Sequence, residues 1–121
     1  MSRILVGDDN ELMRCLIMEL LETDGYEVRE AVDTGEVLEQ ISRTEPDLLI
    51  LDVQMPGGGG IEAIDAIRSD PAHHDMPVLL LSGSVGLDVD WASQVGANAQ
   101  LPKPFRIDEF RATVGSLLTA A

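Results

Sequence analysis

Short apolar runs alternate along this chain with longer segments of helical period, and no other feature restricts the fold as much. Ile4–Val6, Val28–Ala31, Leu48–Leu51 and Val78–Leu81 read as strands, with a briefer fifth at Gln100–Leu101. The first, third and fourth are apolar throughout, as strands are when helices cover both faces of a sheet. Residues 11–23 set Leu12, Leu16, Leu20 and Met13, Ile17, Leu21 on one broad stripe, which Asp24-Gly25 ends as a turn. Segments 35–44 (Val37, Leu38, Ile41), 60–69 (Ile61, Ile64, Ile67), 87–95 and 106–118 (Phe110, Val114, Leu117, Leu118) supply the other helices. Ser69-Asp70-Pro71 closes the third, because proline cannot extend it. Such β-α units joined by right-handed crossovers build an α/β fold, a doubly wound parallel sheet whose ligands bind beyond the carboxyl ends of the strands.

One domain, 1–121, accounts for the chain, since 121 residues at 45% apolar content build a single core without disulfide or metal staples. Its 22 acidic side chains against 8 basic ones give a net charge of -14, which narrows the partners. Duplex DNA is bound by lysines and arginines that displace counterions, so nucleic acid and anionic membrane are excluded as partners of this domain. No apolar stretch approaches the ~20 residues of a membrane span, and Ile4–Val6 stops at Asp8 and Asp9 instead of building a signal peptide. The expected location is the cytoplasm. Cys15, the sole cysteine, cannot form an intramolecular disulfide; among Leu12, Leu16 and Ile17 it reads as a buried thiol. Seven of the basic residues are arginines, and the single lysine is Lys103.

Asp8 and Asp9 follow the first strand and Asp52 the third. With those strands adjacent, three carboxylates converge, and they repel one another unless a divalent cation sits among them. Oxygen ligands with room for water suit Mg²⁺. Helix capping is the alternative for any one of these acids, and a weaker one for all three. Ser82 ends the fourth strand and Lys103 the fifth, so a hydroxyl and an ammonium join the same edge. These are the groups that hold a phosphoryl on a carboxylate nucleophile, forming an acyl phosphate.

The motifs Ile4-Leu5-Val6-Gly7-Asp8-Asp9, Leu49-Ile50-Leu51-Asp52-Val53-Gln54-Met55-Pro56 with Gly60 beyond, Leu81-Ser82-Gly83, Gly96-Ala97 and Lys103-Pro104-Phe105 follow one another in order. Together they make the chain resemble, over nearly its whole length, the CheY-like response regulator receiver domains of two-component signalling. The resemblance implies a flavodoxin-like sheet of strand order 2-1-3-4-5. It implies Asp52 as the phosphoacceptor, charged by a sensor histidine kinase or a histidine phosphotransfer protein. Mg²⁺ would be ligated by Asp9, Asp52 and the main-chain carbonyl of Gln54, with Asp8 reaching it through water. Lys103 would pair with phosphoryl oxygens, Pro104 would follow a cis peptide that aims the lysine, and Ser82 would move to the phosphoryl. Output would pass through segment 87–95, the fifth strand and segment 106–118, where Trp91, Gln94, Gln100, Ile107 and Arg111 would form the partner face, core packing being the equal alternative for Trp91. The receiver of that face would be a downstream protein, a fused effector or a second copy in a phosphorylation-dependent homodimer.

Some residues depart from the family pattern. Gln100 stands where receivers commonly carry Tyr or Phe as a rotamer switch, and an amide cannot fill that apolar slot without losing hydrogen bonds to water. Backbone shifts are then the expected carrier of the signal. Gly7 and Gly59 replace bulkier residues and should loosen the loops around the site. Gln54 and Ser84 occupy the variable flanking positions that influence hydrolysis of the acyl phosphate.

Other motifs read more simply. Gly58-Gly59-Gly60-Ile61-Glu62-Ala63 fits a dinucleotide pattern but follows the third strand, with Asp52 facing the would-be pyrophosphate. Asp88-Val89-Asp90 serves as N-terminal helix charge, and His73 and His74 read as solvated loop residues. Two rival functions remain. A haloacid-dehalogenase-type phosphohydrolase would need a second acid two residues after its nucleophile, where this chain has Gln54. A receiver-like adaptor would bind partners without phosphorylation. The chain could equally be the N-terminal receiver of a longer DNA-binding or enzymatic response regulator; no turnover beyond autophosphorylation and self-dephosphorylation is expected.

Overall fold

The computed structural model describes residues 2–53, 59–82 and 96–119. Strands β1 (Arg3–Gly7), β2 (Glu27–Ala31), β3 (Leu48–Asp52), β4 (Val78–Ser82) and β5 (Ala99–Pro102) lie parallel in one sheet of order β2-β1-β3-β4-β5. Helices α1 (Glu11–Thr23), α2 (Thr34–Thr44), α3 (Gly59–Arg68) and α4 (Ile107–Thr119) cover its faces. The expected doubly wound sheet is therefore the fold. Segment 87–95 with Trp91 and Gln94, and the loop residues Gln54 and Ser84, lie outside the described residues.

The period of two along the strands divides the core into two layers. Leu5, Leu49, Leu51, Val78 and Leu80 point to one side and pack with Val37 and Ile41 of α2 and Ala63, Ile64 and Ile67 of α3. Ile4, Val6, Leu48, Ile50, Leu79 and Leu81 point to the other, against Ile17 and Leu21 of α1 and Phe110 and Val114 of α4. Each valine, leucine, isoleucine or phenylalanine among them contributes roughly 1.5–3 kcal/mol relative to leaving it in water. Strands β3 and β4 are buried at every position, as their unbroken apolar runs require.

Local signals start the helices. The Asn10 side chain accepts from the Met13 amide at 3.1 Å, and Asp33 accepts from the Glu36 amide at 2.8 Å, so each satisfies an amide that the first turn leaves open. Glu45 ends α2 in the left-handed region, at φ 46°.

The α1 stripe is narrower than the sequence suggests. Ile17 and Leu21 are buried, but Leu12 is 84% exposed, Leu16 is 42% exposed and Cys15 is exposed. At about 100° per residue, Cys15 falls some 200° from Ile17, on the opposite side of the helix. A single sheet face accepts only the Met13–Ile17–Leu21 side, so the buried-thiol reading of Cys15 is corrected. Among the described residues no helix is long and apolar enough to cross a membrane.

Candidate functional site

Strand order reverses at β1, which lies between β2 and β3, and the crevice of such a sheet opens at the carboxyl ends of the strands flanking the reversal. Asp52 is itself the last residue of β3, while Asp8 and Asp9 leave the end of β1. Carboxylate oxygens of Asp8, Asp9 and Asp52 all lie within 4.8 Å of one another, with Asp8 and Asp52 buried and Asp9 exposed. Lys103, just past β5, places its Nζ 2.9 Å from Asp8 Oδ2 and 3.1 Å from Asp52 Oδ2. Its peptide to Pro104 is cis. Burial is the largest influence on the ammonium and works to lower its pKa, yet the hydrogen bonds and charges of Asp52 and Asp8 outweigh it and leave the pKa raised.

Asp8 is held at every polar group. Its amide donates to Ala31 O at 3.1 Å, and its carbonyl accepts from Arg14 Nη1 at 2.9 Å. Its Oδ1 accepts from the Asn10 amide at 2.9 Å and its Oδ2 from Lys103. Ser82 is buried at the end of β4, and its carbonyl accepts from the Lys103 amide at 2.7 Å. The sheet thus brings together Asp8, Asp9, Asp52, Ser82 and Lys103, the constellation expected from the sequence.

The glycines do not loosen this region. A Cβ on Gly60 would stand 2.4 Å from the Asp52 carbonyl oxygen, so only a bare α-carbon lets α3 approach the end of β3. Gly59 is buried at φ +82°, and its carbonyl accepts from the Thr34 hydroxyl at 3.1 Å. Gly7 is a buried, in-register member of β1 opposite Ala31 and Leu51. The expected slackness is corrected to close packing.

Of the partner face, Gln100 is half-buried on β5 opposite Leu80, and Ile107 is 47% exposed at the start of α4. Arg111 is exposed and pairs through Nε with Asp24 Oδ2 at 3.0 Å. His73 is not simply solvated: its Nδ1 meets Asp70 Oδ2 at 3.0 Å in a half-buried position. A cavity of about 560 Å³, lined among others by His73, His74, Glu45, Asp47 and Leu117, opens at the amino ends of the strands. It lies away from the carboxylates, and neither histidine belongs to a metal-ligating cluster among the described residues.

Two arginines escaped the sequence reading. Arg14 bridges the Asp8 carbonyl and Glu30, whose Oε1 lies 2.8 Å from its Nε. Arg68 donates to Gly96 O at 3.0 Å, His74 O at 2.9 Å, Met76 O at 2.7 Å and Asn98 Oδ1 at 3.0 Å, fastening the loops on either side of β4. The only signal for Arg14 was a charge on α1 one turn after the acids, where helical side chains lean back toward the N-terminus.

The donor set fits a hard divalent cation. Three carboxylates against one ammonium leave an excess of two negative charges (3 − 1 = 2) among oxygen ligands.

Residues 4–115 match the response regulator receiver domain family, and the chain belongs to it. A curated relative, the response regulator MprA of Mycobacterium leprae, is 38% identical over 117 residues, 96% of this chain and 50% of the relative. The chain therefore spans about half the length of the curated relatives it matches. The crystal structure of the signal receiver domain of a signal transduction histidine kinase from Syntrophus aciditrophicus superposes with a TM-score of 0.92 at 28% identity, covering 100% of this chain and 92% of that one. The chemotaxis response regulator CheY4 of Vibrio cholerae does so with a TM-score of 0.89 at 30% identity, covering 97% and 98%.

Proposed function

We propose that this receiver accepts a phosphoryl group on Asp52, in a Mg²⁺-dependent reaction, from the phosphohistidine of a sensor histidine kinase or histidine phosphotransfer protein. The observation that carries the reading is the single lysine of the chain set between two buried carboxylates, with a third acid beside them and a buried hydroxyl-bearing strand end next to it.

In this reading Asp9, Asp52 and the Gln54 carbonyl would hold the ion, with Asp8 contributing through water. When bound, Mg²⁺ neutralises charge on the phosphoryl oxygens. An Asp52 carboxylate oxygen forms a bond to phosphorus while the bond to the donor imidazole nitrogen breaks, and the nitrogen keeps the electron pair. The Lys103 ammonium trades part of its carboxylate pairing for a phosphoryl oxygen, and the Ser82 hydroxyl donates to another. Water later cleaves the acyl phosphate. The chain turns over no other substrate.

The same reading places the output on segment 87–95, β5 and α4, through Trp91, Gln94, Gln100, Ile107 and Arg111. A downstream protein, a fused effector or a second phosphorylated copy receives the signal, in the cytoplasm and without nucleic acid or membrane contact by this domain. Phosphorylation shifts a two-state equilibrium by the difference in affinity between its states. The test is intact-protein mass after incubation with Mg²⁺ and a small-molecule phosphodonor. The wild type gains one phosphoryl group, while Asp52→Asn and a Mg²⁺-free control gain none; equal labelling of all three sinks the reading.

A further inference from the structure

Arg14 lies beside the acidic edge without belonging to it. Its guanidinium is largely buried, with the side chain 11% exposed, and it ties α1 both to the chain leaving β1 and to β2. Nη1 donates to the Asp8 carbonyl at 2.9 Å, and Nε donates to Glu30 Oε1 at 2.8 Å. Glu30 sits on β2 opposite Val6, one residue before Ala31, whose carbonyl accepts from the Asp8 amide. The chain is thereby closed into a ring: from Asp8 through α1 to Arg14, across to Glu30, along β2 to Ala31 and back to Asp8. Both acids that leave β1 lie on or beside this ring.

We infer that Arg14 is a positioning residue for the divalent-cation site, pinning the peptide between Asp8 and Asp9 so that their carboxylates face Asp52 before the ion arrives. This rests on the proposed reading of the acids as a Mg²⁺ site. A guanidinium suits the task because its donors form a rigid planar fork, so one group serves a carbonyl and a carboxylate together; a lysine ammonium is a point charge on a flexible stem. Position, not charge, is what Arg14 supplies. Glu30 pairs with it, so the two together bring no net charge to the site. Groups that orient metal ligands typically change metal affinity by about 10–100-fold when removed.

The experiment is a Mg²⁺ titration of the full chain, read as the shift of the thermal midpoint and independently by calorimetry, for wild type, Arg14→Gln, Arg14→Lys, Glu30→Gln and Arg43→Gln. Arg43 pairs with Glu39 on the exposed surface of α2 and serves as the control. Arg14→Gln and Arg14→Lys weaken Mg²⁺ binding by about tenfold or more. Glu30→Gln weakens it in the same direction by less, and Arg43→Gln leaves it unchanged. A purely structural arginine would lower the midpoint without Mg²⁺ yet leave the Mg²⁺ dissociation constant unmoved, and that result overturns the inference while the proposed function stands. Should Arg14→Gln fail to fold, Arg14→Lys and Glu30→Gln decide the matter. No Mg²⁺ response in the wild type overturns the proposed function and this inference together.

Discussion

Lys103 Nζ lies 2.9 Å from Asp8 Oδ2 and 3.1 Å from Asp52 Oδ2, so one ammonium bridges two buried carboxylates that come from different strands. Its ammonium is the positive charge set between the two buried carboxylates.

Replacing the lysine, as Lys103→Ala, leaves the charge of those carboxylates uncompensated and destabilises the Mg²⁺-free chain by about 3 kcal/mol, the low end for breaking a buried pair. Because the ammonium competes with a dication for the same oxygens, the variant gains more stability on adding Mg²⁺ than the wild type does. Denaturant melts with and without Mg²⁺ measure both effects, and an equal gain in the two proteins contradicts this account.

Gly60→Ala forces a Cβ against the Asp52 carbonyl at 2.4 Å, and backbone on both sides leaves nothing flexible to yield. A loss of about 2 kcal/mol is expected, within the usual cost of overpacking. The displaced end of β3 should also slow labelling of Asp52 by a phosphodonor, which a time course of intact mass records.

Leu12→Ser should change stability by less than about 0.5 kcal/mol, as exposed positions do, whereas Ile17→Ala should cost about 2–4 kcal/mol through lost transfer energy and the cavity left behind. The two residues lie on one helix and differ in burial, 84% against 0% exposed. Urea midpoints compare them directly, and Cys15 should react fully with a thiol reagent in the native protein.

Asp70 titrates below its ordinary value of 3.8, first because His73 hydrogen-bonds its carboxylate and then because the Ala72 amide does. A depressed folded pKa gives stability that is present above the unfolded value and lost as pH falls through the folded one. Thermal midpoints of wild type and Asp70→Asn should therefore differ above about pH 4 and converge in stronger acid; curves that stay parallel would exclude this pairing as the cause.

The fold was legible because both of its main signals are local. Unbroken runs such as Leu48–Leu51 admit little besides a buried parallel strand, and Asp8, Asp9, Asp52, Ser82 and Lys103 each stand at a strand end that those runs mark. Residues 12 and 15 misled because an apolar side chain on a helix does not reveal how wide a strip its sheet can cover. Gly60 reads as freedom in the sequence, yet becomes a packing requirement once the Asp52 carbonyl is above it. Arg14 and Arg68 act through main-chain carbonyls of other elements, and no residue-type pattern encodes those partners.

The 2.7 Å bond from the Lys103 amide to the Ser82 carbonyl works as a hinge pin between β4 and β5. The residue that bears the hydroxyl and the residue that bears the ammonium share this link. Under the proposed function, a pull on either strand end would be handed to the other as displacement of backbone, which would give a receiver with Gln100 on β5 a mechanical route outward that needs no turning ring.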